Sequence, residues 1–133
     1  MLKRIRQRLD ASSKQGGFTL VEFLIVIIII GILLAIAVPS YLGFRDRAND
    51  NAAKANLRTA LPAAELYYAD NGTYVGMHTA ALVAIDSDVS PTLIVVSAEA
   101  TSYCLSDTVR NRVWSVAGPS ASGADFKNSN TCT

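Results

Sequence analysis

An uninterrupted apolar segment near the N-terminus is the strongest pattern in this chain. Across the 21 positions of residues 18–38, only Thr19, Glu22 and Gly31 interrupt a run of Leu, Ile, Val, Phe and Ala. At a rise of about 1.5 Å per residue, a helix of this length reaches about 31 Å, the thickness of a bilayer's hydrocarbon core. The pattern therefore predicts a helix that can span a membrane.

After Pro39 the pattern changes to that of an amphipathic helix, with apolar residues recurring three to five positions apart and charged residues on other faces. Asn71 and Gly72 supply a helix stop signal. Together the two segments predict one continuous helix over residues 18–70, about 80 Å long. Its predicted buried stripe consists of Tyr41, Phe44, Ala48, Ala52, Leu57, Leu61, Ala64 and Tyr68.

Three residues weaken this helix. A proline inside a helix costs about 3 kcal/mol because it removes a hydrogen bond and clashes with the preceding turn, and a glycine costs about 1 kcal/mol. At Gly31 and Pro39 we expect bends, or a stretch that can unwind. Pro62 is expected to curve the helix rather than end it.

The rest of the chain is predicted to form a loop followed by strands. Residues 73–91 show little regular periodicity and are expected to connect the two parts. Residues 93–97, 102–106 and 112–116 are rich in β-branched and aromatic residues, which favour strands. The expected fold class is α+β: a long N-terminal α-helix, membrane-spanning in its first half, packed against a small antiparallel β-sheet.

Charge is distributed unevenly about the apolar segment. The positive-inside rule keeps the basic N-terminal end in the cytoplasm and exports the rest. Without residues 1–17 the chain has seven basic and ten acidic side chains, so binding to nucleic acid is not indicated. Residues 39–133 suffice for one small globular domain. Five basic residues precede the segment, opposed only by Asp10: Lys3, Arg4, Arg6, Arg8 and Lys14.

The order of these features differs from that of a secretory signal, in which the cut follows the apolar region and removes it. Here Gly16 and Gly17 come first, so a cut after Gly17 keeps the segment. Glu22 is anomalous, because a carboxylate in hydrocarbon costs several kcal/mol unless it is neutralised or paired. The cut creates an amine at Phe18 that can pair with Glu22 of the same chain or of a neighbour. Alternatively, Glu22 reaches water at the membrane interface.

The N-terminal residues resemble the signature of type IV pilins and pseudopilins. The resemblance lies in Gly17-Phe18-Thr19-Leu20-Val21-Glu22, in the following apolar run with Gly31, and in Ala37-Val38-Pro39-Ser40-Tyr41. Phe23 stands where the family more often has an aliphatic residue.

This resemblance implies roles for individual residues. A prepilin peptidase would cleave between Gly17 and Phe18 and methylate the new N-terminus at Phe18. Glu22 would pair with a neighbour's N-terminus during assembly. The helix between Gly31 and Pro39 would supply flexibility, since this stretch loses helical structure in some assembled pili.

The implied function is a structural subunit of a type IV pilus, not an enzyme, and it needs no cofactor. Residues 1–17 would be a leader, residues 18–38 the membrane and filament-core helix, and residues 39–133 the globular pilin domain. The expected partners are other copies of the chain, prepilin peptidase, the pilus assembly machinery and, before assembly, membrane lipid. The expected location is the inner membrane for the single-pass precursor and the extracellular filament afterwards.

Other interpretations of the sequence remain open. A type II secretion pseudopilin has the same N-terminal features. A membrane-anchored extracellular binding domain that does not polymerise would keep the apolar segment but would predict no leader cleavage. Ala35-Ile36-Ala37 fits an A-x-A signal-peptidase site, which would release a free secreted domain.

Cys104 and Cys132 are the only cysteines. In an exported domain a disulfide is the expected state of such a pair. Closing a loop of about 29 residues stabilises the fold by about 3.5 kcal/mol on the chain-entropy model. The loop also resembles the disulfide-bounded C-terminal region of many type IV pilins.

Candidate chemistry is sparse elsewhere. The sequence contains no P-loop, no G-x-S-x-G and no dinucleotide-binding fingerprint. Two cysteines and His78 cannot complete a structural zinc shell without another ligand. Asp86 and Asp88 are two carboxylates, too few to argue a calcium site, and they favour a solvated turn.

Overall fold

The structure, a computed structural model, describes residues 17–119 and 125–133. The expected leader up to residue 16 and most of the turn expected at residues 119–123 lie outside these residues. The described elements are α1 (Leu20–Asn71), α2 (Thr79–Ile85), β1 (Ile94–Ala98), β2 (Tyr103–Val109), β3 (Arg112–Gly118) and β4 (Phe126–Lys127). The chain divides after Tyr41 into two compact units; the second unit is Leu42–Thr133.

The strands form an antiparallel sheet in the order β1-β2-β3-β4, so the predicted α+β fold is confirmed. β2 and β3 pair over their whole length and are joined by a turn at Arg110 and Asn111. The sequence prediction located β1, β2 and β3 but missed β4. This strand has two residues, too few to show a period of two, and it is defined only by its pairing with Ser115 and Val116.

The long helix is continuous in the structure from Leu20 to Asn71. It ends as the sequence predicted, since Gly72 adopts a left-handed φ of 70° and its backbone N–H donates to the Tyr68 carbonyl at 2.7 Å. The helix does not end at Pro62, and helical structure also continues through Gly31 and Pro39. Unwinding of the segment between Gly31 and Pro39 stays a prediction.

The prediction of a loop throughout residues 73–91 is wrong. Thr79–Ile85 form α2, a helix of 7 residues in which Leu82 is completely buried. Two helical turns are too short for a sequence period to be read. Burial of Leu82 in the core, rather than local periodicity, accounts for this helix.

The second unit has one core between the C-terminal half of α1 and the sheet, with α2 and its flanking loops contributing. The predicted helix stripe is wrong in its first half, because Tyr41, Phe44, Ala48 and Ala52 are exposed. The buried positions in this part of α1 are Asn49, which is polar, and Ala53, which is small. The buried residues of α1 are Asn49, Ala53, Leu57, Ala60, Ala63 and Ala64.

Candidate functional site

The apolar side chains in the first part of α1 are covered by almost no other part of the described chain. From Leu20 to Val38, each large apolar side chain keeps between 46% and 84% of its surface exposed. Among the described residues, α1 is the one helix long and apolar enough to cross a membrane, by length and composition. Soluble monomers rarely leave so large a contiguous apolar surface in water. This surface therefore requires lipid or the matching surface of other chains.

Thr19 and Glu22 form a capping box at the start of this helix. The Glu22 backbone N–H donates to Thr19 Oγ1 at 3.2 Å, and Glu22 Oε2 accepts the Thr19 backbone N–H at 2.7 Å. The Thr19 hydroxyl also donates to Oε2, at 3.1 Å. These bonds satisfy two of the N–H groups that a helix start leaves without partners.

This cap changes the interpretation of Glu22. The carboxylate already has partners within its own chain, and it lies in the first helical turn, where the helix dipole favours negative charge. The sequence analysis missed the role of Thr19, although a Thr-x-x-Glu spacing directly before an apolar run is a recognised capping signal. Both contacts from Thr19 use Oε2, so within the described residues Oε1 stays available to a donor from another chain.

The expected cleavage position lies just before the helix. Gly17 and Phe18 are in non-helical backbone and are exposed, Phe18 at 94%. The first backbone helical bond in this region runs from Phe23 N–H to the Thr19 carbonyl at 3.2 Å. The Gly17–Phe18 peptide bond is therefore outside the helical hydrogen-bond ladder and accessible to an enzyme.

The second unit is closed by the disulfide between Cys104 of β2 and Cys132 near the C-terminus, with Cα atoms 5.9 Å apart. The Ser115 hydroxyl donates to the Thr131 carbonyl at 2.7 Å. These two links hold the C-terminal residues against the sheet.

An ion pair and an indole join α1 to β3. Arg112 contacts both carboxylate oxygens of Asp50, at 2.6 and 2.9 Å, and the Trp114 indole N–H donates to the same carboxylate at 2.8 Å. Arg112 and, to a lesser extent, Trp114 lower the pKa of Asp50. The Lys54 ammonium lies 3.9 Å from the centre of the Trp114 ring.

Two further polar groups cross between helix and sheet. The buried Asp107 carboxylate accepts from Asn56 at 2.7 Å and from the Thr92 hydroxyl at 2.9 Å. Farther along α1, Glu65 accepts from the hydroxyls of Tyr74 and Tyr103. Burial, followed by the Glu65 contact, raises the pKa of Tyr74 to about 12. The sequence analysis identified none of these links.

Within residues 17–119 and 125–133 no group of three His, Cys, Asp or Glu side chains is placed to hold a metal ion. Asp86 Oδ1 accepts the Asp88 backbone N–H at 2.9 Å, the arrangement of a local Asx turn. His78 Nδ1 lies 2.9 Å from the Gly76 carbonyl.

Comparison with known proteins places the N-terminal features in a family. Residues 12–38 match the prokaryotic N-terminal methylation motif. The chain is 45% identical over 92 residues to the type IV wide pilus major component PilA4 of Thermus thermophilus, a match that covers 67% of this chain and 70% of that protein. No solved structure matches the chain.

Other relatives match over a shorter span. The type IV major pilin protein PilA of Myxococcus xanthus is 41% identical over 61 residues, which are 46% of this chain and 28% of that protein. The type II secretion system core protein G of Pseudomonas aeruginosa is 38% identical over 61 residues, 46% of this chain and 43% of that protein. The chain thus spans less than half the length of these two relatives.

Relatives of these two kinds imply polymeric assembly and processing by a prepilin peptidase. The methylation motif and the exposed apolar helix fit a precursor anchored in the membrane and a filament outside the cell. Proteins of this family are structural rather than enzymatic. The chain belongs to the type IV pilin family, within which its relatives include both pilins and type II secretion pseudopilins.

Proposed function

We propose that residues 18–133 are the mature subunit of a type IV pilus, released from a leader of residues 1–17 by cleavage after Gly17. One observation carries this proposal: a long, exposed apolar helix begins directly behind an exposed Gly17–Phe18 bond. Cleavage at that bond keeps the helix. The subunit waits in the bilayer, with lipid covering residues 18–38, and the assembly machinery then moves it into a filament. There the same surface is covered by the helices of other copies.

Glu22 sets the register of this assembly. In the precursor its Oε2 atom caps its own helix. After cleavage a neighbour's N-methylated Phe18 amine supplies a positive charge for Oε1. A carboxylate at membrane depth is costly when unpaired, so subunits are stabilised at the axial offset that brings the amine to it. Capping and pairing use different oxygens and are compatible.

A pilus is favoured over a type II secretion pseudopilus by the extent of the matches. The match to the wide pilus component is 92 residues long and covers 67% of the chain. Because only 71 residues precede the end of α1 at Asn71, this match must extend into the part of the chain after α1. The match to core protein G is 61 residues long and covers 46% of the chain, so it is short enough to lie entirely within the leader and α1. Similarity beyond the shared N-terminal helix is the observation that favours the pilus.

The test is to delete the gene and to complement it with the wild-type gene. Electron microscopy of the cell surface should show filaments lost on deletion and restored by complementation, while type II secretion continues. Loss of secretion with unchanged filaments would support the pseudopilin. A chain that is found only as an uncleaved monomer in the membrane would contradict both, and would support the anchored binding domain.

A further inference from the structure

The charges of the second unit are strongly segregated along the sequence. Residues 59–109 contain six acidic side chains and no Lys or Arg. Every Lys and Arg of this unit lies in residues 45–58 or 110–127. These 51 consecutive residues carry acidic side chains with no Lys or Arg among them, so it matters where the fold brings these two groups.

The fold brings members of the two groups to opposite ends of the second unit. Numbering along β2 runs against numbering along α1, because Tyr103 contacts Glu65 and Asp107 contacts Asn56. Arg112, just after the turn that follows β2, contacts Asp50. The turn that follows β2, containing Arg110, therefore lies beside the beginning of the unit. The turn that precedes β2, containing Glu99, lies beside the end of α1.

We call these two surfaces the basic end and the acidic end. The basic end carries the exposed Arg45, Arg47 and Arg110, with Asp46 as its exposed acid. The acidic end carries the exposed Glu65, Asp70 and Glu99.

Each end also exposes a large apolar side chain on α1. Phe44 is 73% exposed beside Arg45, and Leu66 is 53% exposed one turn before Asp70. Phe44 and Leu66 are 22 residues apart, which is close to six helical turns. They therefore lie on nearly the same side of the helix, about 33 Å apart along its axis. Each end thus combines an apolar centre with a charged rim, the usual composition of a protein interface.

We propose that the basic end of one subunit docks on the acidic end of a second copy of this chain, with Phe44 placed against Leu66 and Arg45 beside Asp70. The contact joins two different surfaces of identical chains, so it is heterologous and propagates along an open helical filament. This inference rests on the proposed function, because it requires that copies of the chain assemble.

A second copy accounts for more of the surface than the headgroups of anionic lipids do. Lipid would attract Arg45 and Arg47, but it would repel the acidic end and would leave Leu66 uncovered. A second copy matches both ends at once in charge and in apolar surface.

Charge reversal in full-length chains expressed in cells tests the docking. Arg45→Glu with Arg47→Glu reverses the basic end, and Asp70→Lys with Glu99→Lys reverses the acidic end. Each double variant alone should reduce filaments per cell by about tenfold, because like charges in contact repel strongly. The variant with all four substitutions should recover most of the wild-type number, since complementarity is restored. Lys127→Glu, a charge reversal of an exposed residue on the edge strand β4 and outside both ends, should leave filaments unchanged.

The outcomes separate this inference from the proposed function. Wild-type cells without filaments would refute the proposed function. Wild-type filaments with reversed ends that assemble normally would overturn only the docking. A defect in the basic-end variant that the acidic-end substitutions do not rescue would also overturn it, and would indicate lipid or another partner. As a direct check, cells that express Phe44→Cys and Leu66→Cys chains together should yield a disulfide-linked pair in filaments, and neither chain alone should do so.

Discussion

The two units of this chain differ in what covers their apolar side chains. In α1 before Tyr41, side chains such as Ile32 and Leu33 keep more than half of their surface exposed. In the second unit, Leu57, Leu105 and Val116 are completely buried by other parts of the same unit. The first unit needs only its own helix to satisfy its backbone, but it depends on lipid or on other chains to cover its side chains. The second unit supplies its own core.

This contrast separates assembly from stability. Substitutions in the first unit should change where the chain is found and whether it polymerises, without changing unfolding of the second unit. Substitutions in the second unit should change its unfolding. Trp114 is the only tryptophan, lies in β3 and contacts Asp50, so its fluorescence reports unfolding of the second unit alone.

The largest expected effect comes from Glu22. Glu22→Ala removes both the cap and the charge, and should abolish most filaments while insertion and cleavage continue. The thermal transition followed by Trp114 fluorescence should not move. Retention in the membrane cannot fail for lack of hydrophobicity, because Ala is less costly than Glu in a bilayer.

Two neighbouring variants show which role of Glu22 matters. Glu22→Gln keeps the capping box but removes the charge, whereas Thr19→Ala weakens the cap, by about 1 kcal/mol, and keeps the charge. If pairing sets register, filaments should be lost in Glu22→Gln and largely retained in Thr19→Ala. The reverse result would make Glu22 a helix cap and nothing more.

The next effect concerns the disulfide. Cys132→Ala should lower the free energy of unfolding of the second unit by about 3.5 kcal/mol, because the unfolded chain gains the freedom of an open loop with a sequence separation of 28. Denaturant titration followed by Trp114 fluorescence measures the change. Reductant should destabilise the wild-type protein by a similar amount and leave Cys132→Ala unaffected. Free thiols in freshly exported, unreduced protein would contradict the link.

Gly118 gives a smaller effect that tests the packing of β3. A Cβ atom at this position would collide with the ring of Tyr103, its partner on β2. Gly118→Ala should therefore destabilise the second unit by about 1 to 3 kcal/mol. Gly43→Ala is the matched control, since a Cβ there meets nothing within 4 Å and alanine favours the helix by up to about 1 kcal/mol. Equal melting temperatures for the two variants would show that Tyr103 can move aside.

The smallest effect is one of pH. The Tyr74 pKa is raised to about 12, so folding favours its neutral form. The stability that it contributes is fully present below pH 10, the ordinary pKa of tyrosine, and is lost as the pH rises from about 10 to 12. Wild-type protein should lose more stability between about pH 9 and about pH 11.5 than Tyr74→Phe does. Parallel denaturation curves at the two pH values measure this difference.

Sequence patterns were sufficient for the parts of the fold that rest on long, regular signals. The helix from Leu20 to Asn71, its glycine stop and the three longer strands follow from periodicity and residue type. The inner face of α1 did not follow, because Asn49 is buried and Asp50 bonds to β3 while Phe44 is exposed. Bonds to residues more than 60 positions away decide this orientation, and no local pattern records them.

The candidate site and the two charged ends likewise include some features that are local in sequence and one that depends on the fold. The order of charge, Gly17, Phe18 and apolar run is local and could be interpreted from sequence. The Thr19–Glu22 cap is also local, and its spacing was available but was not used. The separation of a basic end from an acidic end could not be derived from sequence, because it depends on β2 running against α1.

The N-terminus of the protein in its assembled form tests the central claim most directly. Filaments sheared from the cell surface should be analysed by mass spectrometry of the intact subunit and of its N-terminal peptide. The account predicts a chain that begins at Phe18, carries one N-methyl group and retains residues 18–38. A chain that begins at Val38, or one that still carries Met1, would contradict it.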